Sequence, residues 1–310
     1  MSKNLATLIG FSAILQWSSI VGLLKTVSFS IGPDLAVTFM YTFSTVILLL
    51  LFRIPKLKDI PRGYLISATL LFLIYELCFS YAIALAQTAQ QAIEVSLVNY
   101  LWPSLTIAAL IAFKELKFNI FVMLGLAISL GGIVVMQAGA GDFSWVAVIQ
   151  NVQTNPASYI LAFIGASLWS IYCVITKKYS QGHNPIALFF LAISIVLWLK
   201  MFLFHDFQGI PEIHLSTGIC MLLVSIVTAL GYAAWNIGII KGNITLLVTL
   251  SYFSPLFSSL LSMLILDTLL SNEFWHGAIL VTAGSFVCWI STNWADLKRK
   301  LNFKSKAFKI

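Results

Sequence analysis

The sequence predicts an all-α integral membrane protein of ten transmembrane helices, arranged as two five-helix repeats of inverted topology. Three observations predict it. Of 310 residues, 60% are hydrophobic and only 9% are charged, at a mean hydropathy of +0.96, which is more apolar surface than a water-soluble domain can bury. The apolar residues fall into ten segments of the length that crosses a bilayer, roughly 17 to 25 residues of helix. Sliding the chain on itself by 152 residues superposes Trp17-Ser18 on Trp169-Ser170, Lys25 on Lys177, Pro33 on Pro185, Tyr100 on Tyr252, Pro103 on Pro255, Gly125 on Gly277 and Gly132 on Gly284. Trp, Tyr and Pro matching together at one offset mark an internal duplication. Five spans per half is an odd number, so the second half enters the membrane upside down. Alternating-access transporters are built this way; a duplicated scaffold without transport is the other use of such a repeat.

Taken in order, the first span is predicted over 4–24, where Lys3 precedes about 20 mostly uncharged residues. No small-x-small cleavage signal follows them, so the segment reads as a retained span and not as a removed leader. Gln16 and Trp17 on it, with Trp169 as the repeat counterpart of Trp17, either line a cavity or pack between helices. The second span is predicted over 34–52. The third, 64–84, carries Tyr75 and Phe79 at i, i+4 spacing, with Glu76 between them. The fourth, 92–113, opens near Glu94 and holds Asn99, Tyr100, Trp102 and Pro103; the fifth covers 118–136. Gly139, Gly141, Asp142, Asn151 and Asn155, with no Lys or Arg, make 138–156 a loop between the halves. Spans six to ten follow at 157–176, 185–204, 216–238, 245–266 and 274–292. The eighth groups Tyr232, Trp235 and Asn236 within about one turn, and the ninth holds Ser251, Tyr252, Phe253 and Pro255. The domains are therefore 1–137, the linker 138–156, 157–292 and a basic tail, 293–310.

Basic residues translocate poorly beside a span, so cytoplasmic loops collect them. An inside N-terminus puts Lys3, Arg53, Lys56, Lys58, Arg62, Lys114, Lys117, Lys177, Lys178, Lys241, Lys298, Arg299, Lys300, Lys304, Lys306 and Lys309 on the cytoplasmic side, sixteen of the 18 basic residues. Only Lys25 and Lys200 face outward. Both termini are thus expected in the cytoplasm, and the linker outside. The net charge of +7 is explained by this topology and by the tail, which serves as an anchor attracted to anionic lipid, and needs no nucleic acid.

Several polar residues fall at membrane depth. Pro103 and Pro255 sit about midway along spans four and nine and cannot donate to the residue four before them, which frees the carbonyls of Asn99 and Ser251. Free carbonyls at that depth are tolerated where protein or a water-filled cavity receives them, so a central cavity between the halves is expected. Repair of each bend by Ser or water is the alternative. Trp145, Trp289 and Trp294 fit an interfacial belt; the midspan tyrosines do not. Glu76 and Glu94 are costly inside a membrane and point to function or to a pairing partner. Glu76 has no Lys or Arg at comparable depth, so it is protonated, bonded to a tyrosine, or matched by a cationic group of a substrate.

Other chemistry is absent from the sequence. It contains no P-loop, no Gly-rich nucleotide fingerprint, no paired-His metal motif and no nucleophile elbow. His183, His205, His214 and His276 lie in loops or at span ends. Cys78, Cys173, Cys220 and Cys288 lie in apolar runs without C-x-x-C spacing and read as packing residues. The expectation is a protein that is not an enzyme, without cofactor or metal, whose partners are a small-molecule substrate and the lipid bilayer, with no required protein partner.

Gln91-Ala92-Ile93-Glu94-Val95 runs into Val98-Asn99-Tyr100-Leu101-Trp102-Pro103. Tyr75-Glu76 precedes this stretch, and Tyr232-Ala233-Ala234-Trp235-Asn236, Gly242-Asn243 and Ser251-Tyr252-Phe253-Ser254-Pro255 follow it. With ten spans in two halves, this pattern resembles the drug/metabolite transporter superfamily in its two-domain EamA-type branch, and within it the bacterial inner-membrane aromatic amino acid exporters. The resemblance covers residues 1 to 292. It implies multi-pass placement in the inner membrane, a periplasmic linker, and export of phenylalanine, tyrosine and tryptophan with some tolerance for other amino acids and aromatic or cationic toxic compounds. A zwitterion carrying a ring needs stacking surfaces, a partner for its ammonium and donors for its carboxylate. Tyr75, Phe79, Tyr100, Trp102, Tyr232, Trp235 and Tyr252 are candidates for the ring. Glu76 or the carbonyls of Asn99 and Ser251 suit the ammonium, and Asn99, Asn236 and tyrosine hydroxyls suit the carboxylate; Glu94 is counted with these substrate-binding candidates, and it or Glu76 is suited to carry a proton. A broader metabolite or cationic drug efflux carrier uses the same residues, and a membrane enzyme or scaffold is the reading from another class.

Overall fold

A computed structural model describes residues 1–52, 56–85, 95, 98–138, 145–204, 212–254, 256–257, 260–261, 272, 275–284, 286–288, 290–291 and 294. The regular elements among them are all helical. Five helices contain stretches long and apolar enough to cross a membrane: Asp34–Leu51, Arg62–Phe79, Pro156–Tyr179, Ile186–Phe204 and Leu215–Lys241. Shorter apolar helices lie in predicted spans four, five, nine and ten.

Helix α1, Lys3–Ile31, is longer than the predicted first span. Nothing before Gly32 stops it; Gly32, at φ +82°, breaks the helix in a conformation that favours glycine. Pro33 then opens α2, Pro33–Leu51, where a missing N–H costs nothing. After a short 3-10 turn, Leu57–Asp59, comes α3, Arg62–Ala84. Helix α4, Trp102–Ala112, has Pro103 in its first turn, and α5 spans Ile120–Ala138. Residues 98–99 are helical and 100–101 form a turn before α4, so Pro103 stands just past an interruption of the predicted fourth span, where proline's fixed φ is already helical.

The linker is not a plain loop. Helix α6, Trp145–Thr154, occupies part of it, because Trp145, Val148, Ile149 and Val152 recur at helical spacing on one face. Asn155 then caps α7, Pro156–Tyr179, and its Nδ2 donates to the carbonyl of Leu85 at 2.7 Å, tying the linker to the end of α3. Next come α8, Ile186–Phe204, α9, Leu215–Lys241, and α10, Ile244–Leu250. The 3-10 turn Ser251–Phe253 follows, and the Ser254 N–H donates to the carbonyl of Ser251. That carbonyl is thus not free, contrary to expectation. Pro255, with the bend expected there, lies outside the described residues.

Large apolar side chains such as Leu50, Phe204 and Leu215 are about four-fifths exposed, as on a surface that meets lipid instead of water. The interior forms between the halves. Helix α1 packs along α9 and α3 along α7; α2 touches α9 as α3 touches α8; α4 lies on α7 as α10 lies on α1. Each of these pairs turns into its companion when the two halves exchange roles. Gly10 and Gly238 permit the closest approach of α1 and α9, since a Cβ on Gly238 would sit 2.7 Å from the Gly10 Cα. Without a hydrophobic drive between helices in lipid, such small-residue contacts carry much of the association.

Side chains repeat the exchange. Trp17 meets its counterpart Trp169 edge to face at 5.9 Å, and Thr42 meets its own, Ser194, at 3.2 Å. Ser170 Oγ donates to the Trp102 carbonyl at 2.9 Å, and Ser18 Oγ donates to the carbonyl of Ser254, the counterpart of Trp102, at 3.4 Å. A residue touching its own equivalent is the mark of a two-fold relation.

Candidate functional site

Glu76 lies 14 residues into α3, about 21 Å along the helix from Arg62 at 1.5 Å per residue. It is buried. Tyr41 on α2 donates to Glu76 Oε2, and Tyr232 on α9 donates to Oε1 at 2.7 Å. The carboxyl group is thus held by one hydroxyl from each half. Hydrogen bonds from tyrosine satisfy its oxygens without supplying a counter-charge. The cations set over rings, Lys178 and Lys200, lie on Phe113, Tyr179 and Tyr81. Their ion pairs are with Glu115 at 3.2 Å and Asp34 at 2.8 Å.

Beside Glu76 is a closed cluster of rings centred on Trp169. Its centroid is 4.9 Å from Tyr75, 5.0 Å from Tyr172, 5.6 Å from Tyr232, 6.2 Å from Trp102 and 6.5 Å from Trp235. Trp17 lies 5.2 Å from both Tyr232 and Trp235. Phe72 and Phe190 close the side toward Tyr41. Helical spacing assembles these groups: Phe72 and Glu76, Tyr75 and Phe79, and Trp169 and Tyr172 each stand one turn apart on their helices. Among the described residues these rings pack on one another where the sequence predicts an open cavity; Trp235 and Tyr172 are fully buried. Large planar faces bury well against each other in edge and offset contacts.

Five of the predicted residues come together here: Tyr75, Glu76, Trp102, Tyr232 and Trp235. Phe79 stacks on Tyr75 at the margin, at 6.2 Å. Asn99, one turn before Trp102, is buried and its Oδ1 has no hydrogen-bond partner. Tyr100 is half-buried against the core. Asn236 is already committed, accepting from Tyr172 OH at 2.8 Å and donating to Asn184 Oδ1 at 3.0 Å. Ser251 Oγ donates to the Leu247 carbonyl one turn before it, and the Tyr252 hydroxyl bonds Ser104 on α4; both groups are engaged within the protein. Glu94 lies outside the described residues.

Sequence reasoning missed Tyr41, Phe72, Tyr172 and Phe190. Tyr41 is a lone tyrosine among Thr and Ser, seven residues from the nearest acid of its own helix, Asp34, and its partner is 35 residues away. The only available signal was a polar tip in midspan. No group of three or more His, Cys, Asp or Glu placed to hold a metal occurs among the described residues, and all four cysteines are free thiols.

Residues 156–290 match the EamA-like transporter family. The aromatic amino acid exporter YddG of Escherichia coli (strain K12) is 42% identical over 294 residues, spanning 94% of this chain and 99% of that protein. The protein of the same name from Salmonella typhimurium is 41% identical over the same shares, and that from Ancylobacter novellus 28% over 273 residues, 84% and 88% of the two chains. A protein crystal structure superposes with a TM-score of 0.77 at 23% identity, over 94% of this chain and 99% of that one.

Proposed function

Since the chain belongs to the EamA-like transporter family, within the drug/metabolite transporter superfamily, we propose that it exports the aromatic amino acids phenylalanine, tyrosine and tryptophan across the bacterial inner membrane. It is a multi-pass transporter and not an enzyme. The observation that carries the substrate class is the ring cluster beside a buried carboxyl group, in a chain 42% identical to an aromatic amino acid exporter. Trp102, Trp169, Tyr232 and Trp235 offer faces and edges to a substrate ring. Glu76 receives the ammonium, the cation its two tyrosine hydroxyls do not provide, and Asn99 Oδ1, three residues before Trp102, is a second acceptor.

The same reading takes 1–137 and 157–292 as inverted repeats, with both termini cytoplasmic and the linker periplasmic. The exchange of contacts between halves supports it. The ring cluster is drawn from both halves, so a rocking motion that parts them on one side opens it to that side while the other remains packed. Glu76, bonded to Tyr41 of the first half and Tyr232 of the second, sits where that motion is felt.

The test is counterflow of radiolabelled tryptophan into proteoliposomes preloaded with unlabelled phenylalanine. Uptake suppressed by phenylalanine and tyrosine, and little by leucine or lysine, is the expected result. Suppression chiefly by methyl viologen and lysine would favour the broader cationic efflux reading, for which Glu76 and the rings are also suited. No uptake by folded protein would overturn the export reading.

A further inference from the structure

We propose that the carboxylate of the transported amino acid is received by the indole N–H groups of Trp17 and Trp235. The inference rests on the export reading and adds the acid end of the substrate to it. An amino acid that leaves water needs donors for its carboxylate, and the described contacts of the ring cluster include no Lys or Arg. Several neutral donors nearby are engaged: Tyr41 and Tyr232 donate to Glu76, Tyr172 donates to Asn236, the Asn236 amide donates to Asn184, and the Tyr252 and Ser104 hydroxyls share one hydrogen bond.

The Nε1 atoms of Trp17 and Trp235 are both buried without a hydrogen-bond partner. Beside the Trp235 N–H is the thiol of Cys173, a weak acceptor. A buried N–H without an acceptor carries the full cost of its lost hydration, so two of them on neighbouring rings call for an acceptor, and none is present among the described residues. The two rings are 5.2 Å apart and inclined at 46°. Gly231 admits Trp17 to the surface of α9: a Cβ there would lie 3.0 Å from Trp17 Nε1, and Trp235 stands one turn further along the same helix. A carboxylate, with two oxygens and several lone pairs, accepts from both.

The placement suits a carrier. Trp17 belongs to α1 and Trp235 to α9, one from each half, so parting of the halves separates the donors and releases the anion. Neutral donors hold it without the fixed charge that would trap it at low dielectric. Tyr232 bridges the two poles of the site, its hydroxyl on Glu76 and its ring on Trp17. The ammonium and carboxylate of one substrate are thereby read on either side of one side chain.

The test separates the carboxylate from the ring. In the counterflow assay, tryptophan and tryptamine, which lacks only the carboxylate, compete against labelled phenylalanine. Trp17→Phe and Trp235→Phe keep an aromatic ring and delete the N–H; each is expected to lose about tenfold of the preference for tryptophan over tryptamine, the size of one hydrogen bond to a charged group. Equal weakening toward both competitors would mean that the indoles only pack, and would overturn the assignment. Wild-type protein with ¹⁵N-labelled indoles in nanodiscs needs no variant: phenylalanine should shift two indole N–H resonances downfield, and phenethylamine should not. If counterflow proceeds and those resonances stay still, the indole assignment fails alone; if wild-type counterflow is absent, the export reading fails and takes this one with it.

Discussion

Glu76 is where one residue decides most. Its two tyrosine donors come from different helices, so removing the carboxyl leaves two buried hydroxyls unpaired, and removing one hydroxyl weakens the hold from one half only. Glu76→Ala is expected to lower tryptophan counterflow by about tenfold to a hundredfold, the range for hydrogen bonds to a charged group, measured at equal amounts of folded protein. Tyr41→Phe should lower it by only a fewfold, and an unchanged rate would mean that Tyr41 plays no part in positioning Glu76. At Trp102, truncation to alanine removes the edge contacts with Trp169 and Trp235 as well as a ring surface. Half-saturation for tryptophan should rise by about tenfold, as for a pair of aromatic contacts. Residue types at membrane depth were enough to single out Glu76, Trp102, Tyr232 and Trp235. Ser251, Tyr252 and Asn236 have the same look in sequence, but their polar groups are bonded to neighbours, and only the packing shows it.

The helices explain what the prolines and glycines do. Pro103 stands in the first turn of α4, just past the turn at 100–101, where its fixed φ is already helical, so Pro103→Ala should change folded yield little. Thermal unfolding in detergent checks this. Gly238 is the opposite case, because its hydrogen faces the Gly10 backbone. Gly238→Val should destabilise the α1 to α9 packing by about 2 kcal/mol, the usual cost of overfilling a packed interface, and should show as an earlier unfolding transition. Segment lengths foretold most of these helices. The extension of α1 to Ile31 and the helix Trp145–Thr154 were not foretold, since the first depended on where a positive φ falls and the second on a short run whose spacing competes with its Gly and Asn neighbours.

For the whole molecule, orientation is open to direct measurement. A cysteine at Ser2 should resist a membrane-impermeant maleimide in intact cells, and one at Gln153 in α6 should react. The native thiols interfere little, three of the four being buried and Cys220 half-buried. Labelling at Ser2 but not at Gln153 would reverse the proposed topology. By itself the sequence determined the class of the protein, its division into apolar segments, the 152-residue offset and the family, because hydropathy and duplication are properties of composition and order along the chain. Only the tertiary structure decided which side chains of the two halves meet. Tyr41 finds Glu76 across 35 residues, Tyr232 finds it across 156, and Trp17 comes to lie beside Trp235, because helix packing, which depends on the small residues that let backbones approach, sets those meetings and no spacing along a single helix records them.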